Sequence, residues 1–223
     1  MTYKFNFGPI FEAWPLLLNG ALQTIWFSAA AMVLGLLIAV IGALGKTSAP
    51  KWVRFIISAY IEIIRNTPFP VQLFIIFFGL PSIGIRMSPN VTAVLALTLN
   101  FAAYGIEIVR AGIESIPKGQ LEAGRALGLQ PLQVFRYVVL KPAIQAIYPA
   151  LTSQFILTML YSSVCSTIAA TELTGAANDI TSRTFRSFEG YFTVTVIYFL
   201  LSCLFWMLFR LIDRRFLTSP QGR

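Results

Sequence analysis

Residues 13–45 read AWPLLLNGALQTIWFSAAAMVLGLLIAVIGALG, a run without a single charged side chain. A helix rises about 1.5 Å per residue and the hydrocarbon layer is about 30 Å thick, so about 20 such residues cross a bilayer. Further charge-free runs follow at 66–85, 87–106, 142–171 and 190–209. The whole chain of 223 residues is 57% hydrophobic and 12% charged, with a mean hydropathy of +0.73. A soluble domain holds about 45–50% apolar and about 25% charged residues. The excess here is sorted into spans, which excludes a water-soluble enzyme and predicts an all-α integral membrane protein. Spans are expected at about 16–44, 55–80, 89–106, 147–168 and 191–209. They form a single membrane domain over 1–223, with a charged loop at about 107–141.

The residue inventory narrows the chemistry. Histidine is absent, so imidazole metal sites and Ser–His or Cys–His nucleophiles are excluded. Cys165 and Cys203 fall inside apolar runs and read as small hydrophobes. No Gly-x-x-x-x-Gly-Lys-Ser/Thr phosphate loop occurs, so this chain does not cradle ATP by that device. The expectation is a chain that performs no chemistry itself, with no catalytic residue, no metal and no cofactor of its own. The first apolar run is too long for a signal-peptide core and follows only Lys4, so it should be kept as a span.

A net charge of +8 could suggest nucleic acid, but the basic residues lie between the apolar runs and form no stripe. With loops alternating across the bilayer, one side receives Lys46, Lys51, Arg54, Arg110, Lys118, Arg125, Arg136, Lys141, Arg210, Arg214, Arg215 and Arg223. The other receives only Lys4, Arg86, Arg183 and Arg186, Arg65 being set aside within the second span. The positive-inside rule places the richer side in the cytoplasm, the N-terminus outside and the C-terminus inside.

Two local features stand out. Residues 52–64 alternate apolar positions with Arg54, Ser58 and Glu62, which suggests an amphipathic start to the second span, and Pro68 and Pro70 predict a kink near 67–70. In the charged loop, breaks at 116–119 and 128–131 frame a short helix over 120–127. Two turns of helix are marginal in water, so this one needs a docking surface; an amphipathic loop on the headgroups is the plainer alternative.

Glu122-Ala123-Gly124, then Gly128, then Val138-x-Leu140 resemble the Glu-Ala-Ala loop of ATP-binding-cassette importer permeases. Tyr104-Gly105-Ile106-Glu107-Ile108-Val109-Arg110-Ala111-Gly112-Ile113 and Ile116-Pro117-Lys118-Gly119-Gln120 resemble the polar amino-acid branch of that family. Arg65-Asn66-Thr67-Pro68, Pro149-Ala150-Leu151 and Glu172-Leu173-Thr174 match it in order and spacing, so the likeness runs from about Leu16 to Phe216. The departures are Gly124 in place of the usual Ala and Leu140-Lys141-Pro142 in place of Leu-Pro-Gln.

The resemblance implies a type I importer permease fold in the bacterial inner membrane. Its function would be ATP-driven import of a polar amino acid or related solute by alternating access. Implied partners are a pair of ATPase subunits carrying ATP and Mg, a second permease copy (identical or similar) and a soluble extracytoplasmic substrate-binding protein. Glu122, Ala123, Gly124 and Gly128 would couple to the ATPase. The glycines suit close backbone approach in a cleft, and Glu122, read as lying near the helix start, suits the helix dipole.

Many relatives carry ionisable residues in the fourth span, where this chain has Gln154-Phe155-Ile156 and Leu160-Tyr161-Ser162-Ser163-Val164. A substrate path here would be lined by amides and hydroxyls, with Gln154, Thr158, Tyr161 and Ser162 as its candidates; helix-packing glue is the equal alternative. Glu62 with Arg65, and Glu107 with Arg110, read as structural ion pairs. The rival function is an ion-gradient-driven transporter or channel subunit, which would want acids or bases deep in the spans. An anchor for a redox complex would want His or Cys ligands. The charge asymmetry carries its own test. A reporter fused after Arg223 should be cytoplasmic and a tag before Lys4 external; both ends on one side would overturn the topology.

Overall fold

The computed structural model describes residues 3–217, and all regular structure among them is helical. A one-turn helix α1 (Gly8–Glu12) precedes α2 (Trp14–Ser48), whose 35 residues exceed the minimum for a span. Then come α3 (Lys51–Arg65) and α4 (Phe69–Ser82), followed by α5 (Pro89–Glu114). The short helices α6 (Lys118–Ala126) and α7 (Pro131–Val134) lead into α8 (Leu140–Tyr161). Last are α9 (Leu173–Thr184) and α10 (Ser187–Ile212). Among the described residues, four helical stretches are long and apolar enough to span a membrane: Trp14–Ser48, Pro89–Glu114, Pro131–Ile168 and Ser187–Arg215. The pair α3 and α4 adds a fifth if read as one broken span.

Several boundaries differ from the sequence reading. The third span runs on to Glu114, about two turns past 106, because the charged residues beyond 106 pair with one another instead of ending the helix. The fourth is helical from Pro131, passing through a wide π turn at Phe135–Val139 just ahead of Pro142. A proline ring clashes with a tight α turn before it, and a wide turn makes the room. Past Tyr161 that helix tightens into a 3-10 segment, Ser162–Ile168, ending at Ala169 with φ +60°.

The kink expected near 67–70 is a full break, with α3 and α4 at 110°. Pro68 disfavours helical backbone at Thr67 and cannot donate to the preceding turn. The carbonyls so freed are taken up locally. Gln72 Nε2 donates to Ile64 O at 2.7 Å and to Thr67 O at 2.9 Å, while its Oε1 accepts from Asn100 Nδ2 at 2.9 Å. Thr67 Oγ1 donates to Ile63 O at 2.7 Å, and Asn66 Nδ2 to Glu62 O at 2.9 Å. Gln72 and Asn100 are both buried, so the joint is anchored to α5.

α2 and α5 pack through small residues. A Cβ on Gly35 would sit 2.6 Å from Phe101 Cδ1, and one on Gly105 would sit 2.7 Å from Ala39 Cβ. Ala31, Ala39 and Ala43 of α2 and Ala96, Ala102 and Ala103 of α5 are buried as well. Such close backbone approach is how helices associate where lipid removes the hydrophobic drive. α9 caps the end of this bundle remote from Lys46. Glu172, fully buried, accepts from Thr174 N at 2.8 Å and Gly175 N at 2.6 Å and so caps α9. Tyr198 of α10 donates to the same carboxylate at 2.7 Å, and Leu173 N donates to Thr24 Oγ1 of α2 at 3.2 Å. Burial pushes the Glu172 carboxyl above its usual range, against those donors.

The seam yields a mutational test. Gly105→Leu should destabilise the protein by about 1–3 kcal/mol through overpacking against Ala39. Gly79→Ala, whose Cβ would meet only Ile75 Cγ2 at 4.0 Å, should be near neutral. Thermal unfolding in detergent compares the two; equal midpoints would refute the close seam.

Candidate functional site

α6 begins after Pro117 and ends where Gly128 takes φ +77°. Gly128 N donates to Arg125 O at 2.9 Å and Leu129 N to Gly124 O at 3.2 Å, the paired bonds of a glycine-terminated helix. One face of α6 is fixed to its own chain. Gly124 is buried, with the place of its Cβ 3.4 Å from both Val134 Cγ2 and Val138 Cγ2, and Leu121 packs on Ile116, Val139 and Ala143. The other face is open, exposing Glu122, Ala123, Arg125 and Leu127, the last at 81%. A short helix is thus held rigidly by one side while presenting the other.

This geometry corrects the reasons given for the motif. Gly124 is small because α6 lies against Val134 and Val138, and Gly128 is glycine because the helix ends there with left-handed backbone. Neither requires a cleft in another protein. Glu122 lies in the second turn, not at the helix start, so the helix dipole does not account for it; it is a solvent-facing acid.

Ahead of α6 in the chain, an ion cluster joins α2 to the end of α5. Glu107 accepts from Lys46 Nζ at 2.6 Å and from Arg110 Nη2 at 2.8 Å, and Arg110 also pairs with Glu114. The expected Glu107–Arg110 pair is therefore part of a larger group. The expected Glu62–Arg65 pair is not formed. Glu62 Oε2 accepts instead from Asn66 Nδ2 at 2.8 Å, because the helix break turns Asn66 back onto it. Arg65 lies over the Tyr104 ring, 5.5 Å from its centre.

The four candidates on the fourth span do not form one lining. Thr158 and Ser162 are buried, and their hydroxyls donate to Gln154 O at 2.8 Å and Met159 O at 2.7 Å. Tyr161 stacks on Phe69 of α4 at 5.5 Å, and Gln154 is buried. Hydroxyls bonded to their own helix favour packing at Thr158 and Ser162. A cavity of about 550 Å³ lies beside Glu172, lined in part by Asn19, Ser166, Asn178 and Asp179. Its one sequence signal is Glu172 itself, quoted above only as part of a motif. Among the described residues, no group of Cys, Asp and Glu gathers as a metal site.

Residues 31–218 match the family described as "Binding-protein-dependent transport system inner membrane component". The chain is 34% identical over 214 residues to the "Glutamine transport system permease protein GlnP" of Escherichia coli (strain K12), covering 95% of this chain and 98% of that one. It is 36% identical over 206 residues to the "L-cystine transport system permease protein TcyB" of Bacillus subtilis (strain 168), covering 90% and 88%. A solved structure described as "Crystal structure of an amino acid ABC transporter with histidines" superposes with a TM-score of 0.89 at 37% identity, over 96% of this chain and all of that one. Together with the helical bundle and its short exposed helix, these likenesses place the chain in a known class: it belongs to the family of inner-membrane permease components of binding-protein-dependent transport systems.

Proposed function

We propose that this chain is the membrane-spanning subunit of an ATP-driven importer for a polar amino acid or a closely related small solute. ATP and Mg would be held by a separate pair of ATPase subunits, cargo would arrive on a soluble extracytoplasmic binding protein, and a second permease copy would complete the path. The orientation that fits puts Lys46, α6 and the C-terminus in the cytoplasm and the N-terminus outside. One observation carries the reading: a nine-residue helix locked to its own chain through Gly124 and Leu121 while its Glu122–Ala123 face is left open. A free helix of that length is marginal in water. Holding one against a scaffold with its outer face bare is what a rigid contact to another protein needs.

In this reading α6 receives the ATPase through Glu122 and Ala123, while Gly124 and Gly128 shape it. The ion cluster of Lys46, Glu107, Arg110 and Glu114 ties the end of α5, which leads into α6, to α2, so displacement of α6 would be passed to that long helix. On α8, Gln154 and Tyr161 remain the candidates for contact with cargo, and Thr158 and Ser162 shape the helix that carries them.

The test is cargo-stimulated ATP hydrolysis by the assembled transporter in proteoliposomes. Glu122→Lys should reduce stimulation at least tenfold while leaving insertion intact, since Glu122 is exposed and outside every span. Gly128→Val should do so by straining the helix end, at about 1–2 kcal/mol for a side chain in left-handed backbone. Full stimulation in both variants would make α6 a surface loop and overturn the coupling role.

A further inference from the structure

We propose that Arg65 is the residue of this transport path that recognises a carboxylate, holding the α-carboxylate of the cargo at the break between α3 and α4. The inference rests on the amino-acid importer reading above and adds a named contact to it.

The break lies inside the membrane layer if α3 and α4 are one span. Its depth follows from α5. Glu107, paired with Lys46 and Arg110, marks the basic end of the bundle. Tyr104, beneath the Arg65 guanidinium, is three residues deeper, about 4.5 Å along the helix, and Asn100, bonded to Gln72, is about 10 Å deeper. Arg65, Asn66, Thr67 and Pro68 thus stand one to two turns within the layer, and all four are exposed. Broken backbone at such depth is tolerated only where protein buries it or water lines it. The buried side of this break is closed by Gln72. The exposed side is left open by this chain, and in the importer proposed above it turns toward the path completed with the second permease copy.

Arg65 is the basic group on that side, beside the exposed carboxylate of Glu62. It forms no ion pair among the described residues, since Glu62 is turned onto Asn66. Its recorded neighbour is the Tyr104 ring, which supports the guanidinium from one face and takes none of its N–H donors. An unpaired cation within a span is functional by default, and a planar fork of donors matches a carboxylate in two-pronged fashion. The hydroxyls of Thr158 and Ser162 on α8 are already committed to their own backbone, and at the break Asn66 and Thr67 likewise donate to the turn before them, so the Arg65 guanidinium is the donor group there without a hydrogen bond or ion pair among the described residues.

The test measures equilibrium binding of radiolabelled polar L-amino acids to the purified transporter without its binding protein. Each acid is compared with the matching amine that lacks the carboxylate. Arg65→Gln should weaken binding of the transported acid about 10- to 100-fold, the range for a charge-assisted bond, and leave binding of the amine unchanged. Arg65→Lys, which keeps charge and loses the fork, should fall between. Equal loss for acid and amine, or no loss for either, overturns the carboxylate role. Normal acid binding by Arg65→Gln with uptake lost only in vesicles rich in anionic lipid would make Arg65 a headgroup anchor instead. Wild-type transporter that imports no amino acid with ATP overturns the importer reading as well, whereas wild-type import with unaltered acid binding by Arg65→Gln overturns this inference alone.

Discussion

A chain inside hydrocarbon cannot leave peptide groups unpaired, and the amide of Gln72 is where this protein meets that constraint most sharply. The sequence Asn66-Thr67-Pro68 ends one helix and starts another within what would be a single span. Two donor hydrogens on Gln72 Nε2 reach Ile64 O and Thr67 O, and Oε1 accepts from Asn100. The broken span is thereby fixed to α5, and with it the angle at which α4 leaves. Phe69 and Leu73 can then bury against Ala93, Ala96 and Leu97, and Tyr161 can stack on Phe69. Each unpaired carbonyl would be worth several kcal/mol in lipid, so the clamp and the break come as a pair.

The rest of the bundle is arranged around α5. Its small residues admit α2 on one side, and Gly112 admits Ile147 of α8, whose Cγ2 occupies the place of a Cβ at 2.1 Å. At the basic end the same helix carries Glu107, Arg110 and Glu114 and then turns at Pro117 into α6. At the other end Asn90 bonds Thr171 through both its amide atoms, joining α5 to the segment that leads into Glu172 and α9. One helix thus leads into the short exposed helix α6, holds the broken span and bonds the segment that precedes α9. A rigid element in contact with all of these is what alternating access needs if movement of α6 is to alter the far side.

Much of the fold was legible because hydropathy and charge act at long range and in blocks. The charge-free runs found the apolar helices, and Pro68 and Pro70 found the break. What composition could not show was where polar side chains turn. A helix end at 106 lies where charge begins, but Glu107 and Arg110 neutralise each other and let α5 continue. Glu62 and Arg65 share a helix face by spacing, yet Asn66 competes for the acid once the helix breaks. The Glu-Ala-Gly motif was visible, while the reasons for its glycines were not. Those depend on Val134 and Val138 folding back and on a positive φ at residue 128. Glu172 stood in plain view as a letter in a motif, and only packing shows it to be a buried cap shared by α9 and α10.

The account stands on ATP as the source of energy for transport through this chain. The most direct measurement is uptake of a labelled polar amino acid into proteoliposomes holding the complete transporter and its binding protein, with and without ATP at the ATPase face, before and after ionophores collapse every ion gradient. Uptake that requires ATP and survives the ionophores is the result this structure predicts. Uptake that proceeds without ATP and vanishes with the gradient would contradict it and make the chain a secondary transporter.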